Sequence, residues 1–338
     1  MPDNNPLVSI CIPTYNREKM VGKAIGSALA QTYRNIEVIV VDNASTDATE
    51  AVVRSYADPR LKFFKNPTNL GLFGNFNQCL AHAQGEFIHI LHSDDYIDPR
   101  FTEHCIRFYQ EHPSTGLTFT QAYYLSAQSE ASIRYSERDE VIPAPEGFVR
   151  ILTGRQFIVC PSVMIRRAVY DDCGIYATEY PYSSDYYQWL KITRKYDIGY
   201  VNSAILFYVQ GEHSETYRLL FNNPDGYLDT LRIYQRVLGD LGAERERFRA
   251  PLNAALRRYI LDCLYAGATR TDLMKDVKPS FFVRISLDAW NEYIPVGIID
   301  RLKKSLYWAG ITMTGAVISV PLLRRFLRRI LAGSGDLY

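Results

Sequence analysis

The six cysteines of this chain form no C-x-x-C pair, which removes zinc-ribbon and thioredoxin-type sites from consideration. No G-x-G-x-x-G and no G-x-x-x-x-G-K-[ST] occurs, so the usual dinucleotide fingerprint and the P-loop are both missing. Neither sign of charge dominates: 38 Lys and Arg stand against 37 Asp and Glu, and nothing in that balance steers the chain toward nucleic acid. The opening residues, MPDNNPLVSICIPTYN, have no basic n-region and no long apolar h-region, so the sequence predicts no signal peptide. Several of the cysteines sit in apolar runs and read as reduced thiols in a cytoplasmic protein. Internal repeats and low-complexity segments are also absent.

What is present is a folded-protein composition, 47% apolar and 22% charged, over 338 residues. Leu7–Ile12, Ile36–Val41, Leu61–Lys65 and Glu86–Leu91 read as strands. The nearly unbroken IEVIVV run is that of a central parallel strand covered on both faces. Between them Met20, Ala24, Ile25, Ala28 and Leu29 recur at helical spacing, and Gly74–Ala83 reads as another helix. Ser45-Thr46-Asp47 resembles the cap of a helix through about Tyr56, and Pro99 is placed to open the next one. This rhythm predicts an α/β fold with a mostly parallel, Rossmann-like central sheet flanked by helices. Further on, Gly116–Leu125 reads as a strand and a polar stretch runs to Pro145. Pro161–Ile165 and Ala204–Val209 are strand candidates, and Asp185–Tyr196 reads as a helix with Trp189 and Leu190 on its buried side. Beyond His213 the pattern turns helical, so a boundary near 218 separates residues 1–218 from a helical C-terminal region, 219–338.

Open parallel sheets bind ligands in the crevice beyond the carboxyl ends of their strands. Three strand candidates end there in polar clusters: Thr14-Tyr15-Asn16, Asp42-Asn43 and Ser93-Asp94-Asp95. Tyr15 could stack on a nucleobase or simply pack in a turn. Asp42 could accept a hydrogen bond from a uracil-type N3–H or cap a helix. Adjacent carboxylates repel unless a cation neutralises them, and Mn²⁺ or Mg²⁺ takes oxygen ligands from carboxylates and diphosphates. The ordinary alternative for Asp94 and Asp95 is a solvated turn. Asp185 on its own reads as a helix cap, and His213 as a structural or solvated histidine.

Order and spacing add what no single motif carries. Pro13-Thr14-Tyr15-Asn16, Asp42-Asn43-x-Ser45-x-Asp47, Asn69-Leu70-Gly71, Gly85-Glu86-Phe87-Ile88, Ser93-Asp94-Asp95 and Asp185 with Trp189 downstream resemble family 2 of the inverting GT-A glycosyltransferases of bacterial type. The resemblance runs from residue 7 to about 216. It implies a GT-A fold, a nucleotide-diphosphate-sugar donor of UDP type, a divalent cation (Mn²⁺ or Mg²⁺), and transfer with inversion to a glycan or lipid-linked acceptor. Carried over by position, Pro13, Thr14, Tyr15, Asn16, Asp42, Asn69, Ser93 and Asp94 would line the nucleotide, with Tyr15 on the base and Asp42 hydrogen-bonded to it. Asp94 would hold the metal, Asp95 would lie toward the donor sugar, and Asp185 would be the catalytic base. The pattern departs in three places. His92 stands where the motif often begins with Asp, Ser184 stands where an acidic residue is common before the base, and His213 lies two residues beyond its metal-site slot, which Gly211 occupies.

Residues 219–338 lie outside the resemblance. Leu306–Leu323 is an uncharged 18-residue stretch followed by the basic, amphipathic LLRRFLRRIL. It is borderline for a membrane span, and reads otherwise as a membrane-surface attachment at the inner face of a membrane or as a buried helix with a charged tail. Two other functions fit less of the pattern. A nucleotidyltransferase would carry a Gly-rich, basic loop near the N-terminus, and a non-catalytic nucleotide-sugar-binding protein would have no use for Asp185.

Overall fold

The computed structural model describes residues 5–126, 130–154, 157–211, 225–252, 254, 255 and 258. His213 and the apolar and basic C-terminal segments lie outside them. The chain divides into two compact units, Met1–Arg218 and Leu219–Tyr338.

The first unit is built on a ten-stranded sheet. Its strands are β1 (Val8–Thr14), β2 (Ile36–Asp42), β3 (Leu61–Lys65), β4 (Phe87–Ile90), β5 (Tyr96–Ile97), β6 (Thr115–Leu125), β7 (Glu130–Ile133), β8 (Glu140–Ile142), β9 (Met164–Arg166) and β10 (Asp197–Val209). The helices are α1 (Val21–Leu29), α2 (Thr49–Arg54), α3 (Gly71–His82), α4 (Phe101–Glu111), α5 (Glu146–Thr153), α6 (Arg167–Cys173) and α7 (Ser184–Lys195). The strand order is β3-β2-β1-β4-β9-β6-β10-β5, with β7 paired to β6 and β8 to β10.

Strands β3, β2, β1 and β4 are parallel, the half of the sheet that the βαβ rhythm predicts. Beyond β4 the sheet is mixed: β9 runs antiparallel to both β4 and β6, while β6 and β10 are parallel. The polar stretch before Pro145 contains β7 and β8, both antiparallel additions. Pro161 lacks the N–H a strand needs, and the chain makes a 3₁₀ turn over Cys160–Ser162 before β9 begins. Helices α5 and α6 had no counterpart in the sequence reading.

Both faces of β1 are buried, which is why its apolar run does not alternate with polar residues. Val8, Ile10 and Ile12 join Val21, Ala24 and Ile25 of α1 and Phe101, Cys105 and Phe108 of α4 in one core cluster. On the opposite side, the Cys11 thiol donates to the Cys79 carbonyl of α3 at 3.7 Å. Gly85 lets the turn before β4 close against β1. A Cβ there would lie 2.6 Å from the Ser9 nitrogen and 2.7 Å from the Leu7 oxygen.

In the second unit, α8 (Asp225–Asp240) buries Ile233, Tyr234 and Val237 at helical spacing, followed by Leu241. Among the described residues no helix is long and apolar enough to cross a membrane.

Candidate functional site

The carboxyl ends of β1, β2 and β3 are level. Thr14 stands in register with Asp42, and Asp42 with Lys65. Asp42 is completely buried. Its Oδ1 accepts the Ser45 amide at 3.1 Å and the Ser45 hydroxyl, so that oxygen serves the turn. Its Oδ2 is buried with no hydrogen bond, and so is Thr14 Oγ1 beside it. Buried polar atoms are rarely left this way, because each one unsatisfied costs about 1–3 kcal/mol. Two such atoms at adjacent strand ends mark a place built to receive hydrogen bonds from outside the chain.

The loops above these strands are clasped together. The Asn16 amide donates to Ser45 Oγ at 2.8 Å, and Asn16 Oδ1 accepts the Thr46 amide at 2.9 Å. Asn16 has φ 51° and Ala44 φ 63°. The left-handed region is tolerable for Asn but unfavourable for Ala, so the turn after β2 is held in a strained shape by its neighbours. Asp47, expected as a cap, stands one residue before the N-cap position of α2, which is Ala48, and its Oδ1 accepts the Thr49 amide at 3.0 Å. Pro13, inside β1, is buried, and Tyr15 and Asn16 just beyond the strand are half-buried.

Asn43 is buried and knits the far wall. Its Nδ2 donates to Asn69 Oδ1 at 2.8 Å and to the Gly71 carbonyl at 3.2 Å, while its Oδ1 accepts from Asn66 Nδ2 at 3.0 Å and the Leu70 amide at 2.9 Å. Asn69 Oδ1 also accepts the Gly71 amide at 2.8 Å, so this oxygen shapes the start of α3.

Past β4 the chain brings three ligand-type side chains together: the donor atoms of His92, Asp94 and Asp95 lie within 4.8 Å of one another. Asp95 is 1% exposed, its Oδ1 accepts the Val209 amide at 2.8 Å, and its Oδ2 lies 3.7 Å from His92 Nδ1. Asp95 Oδ2 and His92 Nε2 are both buried without a hydrogen bond. Burial, and then the neighbouring Asp94 carboxylate, push the Asp95 carboxyl well above its ordinary range. Burial also holds the His92 imidazole below its usual value, against the pull of Asp94 and with the help of Arg17. A neutral imidazole and two crowded carboxylates with unsatisfied atoms are a donor set that fits a divalent cation. Ser93, between them, is buried. His92 is the residue that sequence reading passed over as a departure. Its signal was three ligand-type side chains within the four residues of HSDD.

Asp185 is not the cap of α7. That position is Ser183, and Asp185 is the second helical residue, half-buried, with Oδ1 accepting the Tyr186 amide at 2.7 Å. Cys160 ties it to the rest of the site. Its thiol is pushed well above its ordinary value by burial, then by the carboxylates of Asp185 and Asp95, so both lie within electrostatic reach of one group. Tyr176 packs edge-on against Phe76 at 5.4 Å and Trp189 at 6.3 Å, while Phe76 leans on His92 at 5.7 Å.

Residues 9–174 match the Glycosyl transferase family 2 profile. An uncharacterized glycosyltransferase of Rickettsia felis is 33% identical over 204 residues, 60% of this chain, and the chain spans 34% of that relative's length. The crystal structure of S. aureus TarS 1-349 with UDP-GlcNAc superposes with a TM-score of 0.71 at 20% identity, covering 96% of this chain and 92% of the other. The mannosyltransferase PcManGT of Pyrobaculum calidifontis, solved with GDP-Man and Mn²⁺, gives 0.51 at 18% identity over 99% and 90% of the two chains. These structural likenesses show the GT-A type of α/β fold, and over residues 9–174 the chain is similar to glycosyl transferase family 2.

Proposed function

We propose that this chain is an inverting glycosyltransferase that moves a sugar from a nucleotide-diphosphate donor to a hydroxyl of a glycan or lipid-linked acceptor. The observation that carries the proposal is the pair of buried, unsatisfied carboxylate oxygens, Asp42 Oδ2 and Asp95 Oδ2, beyond strands that flank β1 on either side. One suits a nucleobase N–H, the other a cation, and a nucleoside diphosphate with its metal supplies both.

In this reading Tyr15 stacks on the base while Asp42 accepts its N–H. Pro13, Thr14, Asn16, Asn69 and Ser93 line the nucleotide. Asp94 would hold Mn²⁺ or Mg²⁺ together with His92 and Asp95, the last nearest the donor sugar. A bound cation neutralises the diphosphate as it leaves. Asp185 takes the proton from the acceptor hydroxyl, whose oxygen attacks the anomeric carbon from the side opposite the diphosphate. The carbon–oxygen bond to the diphosphate breaks, and its electrons leave with the nucleotide. General-base assistance of this kind contributes roughly 10²–10⁴-fold. His213 as a further metal ligand, membrane-surface attachment through residues 303–338, and a cytoplasmic location belong to the same proposal.

The test is a thermal-shift screen of nucleoside diphosphates and nucleotide sugars with Mn²⁺, followed by turnover of those that bind. Native-state ligands raise the melting temperature. A screen in which none of them shifts the protein would end the donor-site reading.

A further inference from the structure

Lys65 is the last residue of the edge strand β3 and stands directly beside Asp42 in the sheet. Its ammonium lies 3.5 Å from Asp42 Oδ2, the buried oxygen with no hydrogen bond, and 2.8 Å from Glu50 Oε2. The first distance is beyond the roughly 2.7–3.2 Å of a good N–H···O bond, so the two groups are neighbours in an ion pair without satisfying each other. Glu50 is itself held by Arg54 Nε at 2.9 Å, which fixes the lysine from behind. The hydrogen bond to Glu50, ahead of the charge of Asp42, raises the Lys65 pKa, so it remains a charged donor. An ammonium has three N–H donors, and Glu50 takes one of them. The side chain is 41% exposed, within reach of an incoming ligand.

A carboxylate oxygen and an ammonium side by side at a strand end make an acceptor–donor pair. We propose that Asp42 and Lys65 together read one edge of the donor's nucleobase, selecting a base that presents a ring N–H beside a carbonyl. Uracil (N3–H beside O4) and guanine (N1–H beside O6) offer that pattern. Cytosine and adenine offer the reverse, a ring nitrogen lone pair beside an amine. Their lone pair would meet the buried Asp42 carboxylate and their N–H the Lys65 ammonium, leaving these groups opposed rather than paired. Sites that hydrogen-bond a ligand group discriminate strongly for this reason. The inference rests on the donor-site reading and adds to it a second residue and a base preference.

The experiment is calorimetric titration of the full chain with UDP, GDP, CDP and ADP in Mn²⁺, using wild type, Lys65→Met and Lys65→Arg. Wild type is expected to bind UDP or GDP at least about 10-fold more tightly than CDP and ADP, and the UDP and GDP arms tell which keto base is the natural one. Lys65→Met, on an exposed edge position, should melt near wild type. It should shrink that preference by about 10-fold, chiefly by weakening the keto-base nucleotide. Lys65→Arg keeps a charged donor and should restore most of the preference. The inference is overturned if Lys65→Met keeps the wild-type ratios, if it weakens all four nucleotides equally as a mere counter-ion would, or if wild type binds all four alike. Failure of wild type to bind any of the four overturns the donor-site reading itself.

Discussion

The amide of Val209, last residue of β10, donates to Asp95 Oδ1 at 2.8 Å and so fastens that strand to the loop following β4. One oxygen of Asp95 thereby serves the fold, while the other faces His92 and Asp94 without a hydrogen bond. Asp94, next to it, is half-buried rather than buried. The two adjacent carboxylates should therefore respond differently to removal. Asp94→Ala is expected to melt near wild type yet lose most of its affinity for Mn²⁺, and with it for UDP-type ligands, as EDTA should do to the unaltered protein. Asp95→Ala should lower stability as well, by about 1–3 kcal/mol, because the Val209 amide loses its acceptor. Calorimetry of Mn²⁺ binding beside thermal melts separates the two. Unchanged nucleotide affinity in both Asp94→Ala and EDTA would remove the cation from the proposal.

His89 gives the fold an acid sensitivity that is independent of any ligand. It is fully buried in β4, with Nε2 2.8 Å from the Pro161 carbonyl and its ring stacked on Phe101 at 4.6 Å. Burial depresses its pKa from 6.5 to about 4. The unfolded chain therefore binds the proton first, and stability contributed at neutral pH is lost as pH falls from about 6.5 to about 4. The loss levels off below that, at roughly 3 kcal/mol. His89→Gln, which keeps an N–H for Pro161, should flatten this part of the stability–pH curve in urea melts. An unaltered slope would assign the acid sensitivity to other groups.

Much of this arrangement was legible in the sequence, and the reason is physical. Parallel strands buried on both faces must be continuous apolar runs, so IEVIVV announced β2 and fixed Asp42 at its end. The mixed half of the sheet was less legible. β9 is three residues long after a proline-containing turn, and β7 lies in a polar stretch with all four of its residues exposed. Neither offers a period to read. His92 and Lys65 were missed for another reason. A histidine looked like a defect in an acidic motif, and a lysine at a strand end looked like an ordinary surface charge. Only register and burial reveal what each of them adjoins.

Gly85 was picked out as part of a motif, and its packing supplies the reason. A methyl group there would press on the backbone of Leu7 and Ser9, atoms that cannot swing aside. The same turn carries the Gly85 amide to Ser9 Oγ at 2.8 Å, and Ser9 Oγ donates on to Glu37 Oε1 at 2.6 Å. Gly85→Ala should destabilise the protein by about 1–3 kcal/mol or more, as overpacking does. A denaturant midpoint equal to wild type would mean that the turn before β4 relaxes more easily than its contacts imply.

Asp185 makes the sharpest case, because its helical role and its proposed catalytic role can be separated by one atom. In the first turn of α7 its Oδ1 accepts the Tyr186 amide at 2.7 Å, a bond that an asparagine oxygen can replace. The charge also favours the helix N-terminus, worth about 0.3–1 kcal/mol, so Asp185→Asn should cost little stability. What asparagine lacks is a site for the proton of the acceptor hydroxyl. The Cys160 thiol feels the carboxylates of both Asp185 and Asp95. The nucleotide, in contrast, is assigned to Tyr15, Asp42 and Asp94 at other strand ends. Asp185→Asn is therefore expected to bind Mn²⁺ and nucleotide sugar as wild type does, to melt within a few degrees of it, and to lose about 10²–10⁴-fold in transfer rate. The rate is to be measured with an acceptor that the wild type glycosylates, at saturating donor, so that binding and chemistry are read separately. A variant that transfers at the wild-type rate leaves Asp185 only its place in the helix turn, and the base would have to be another group.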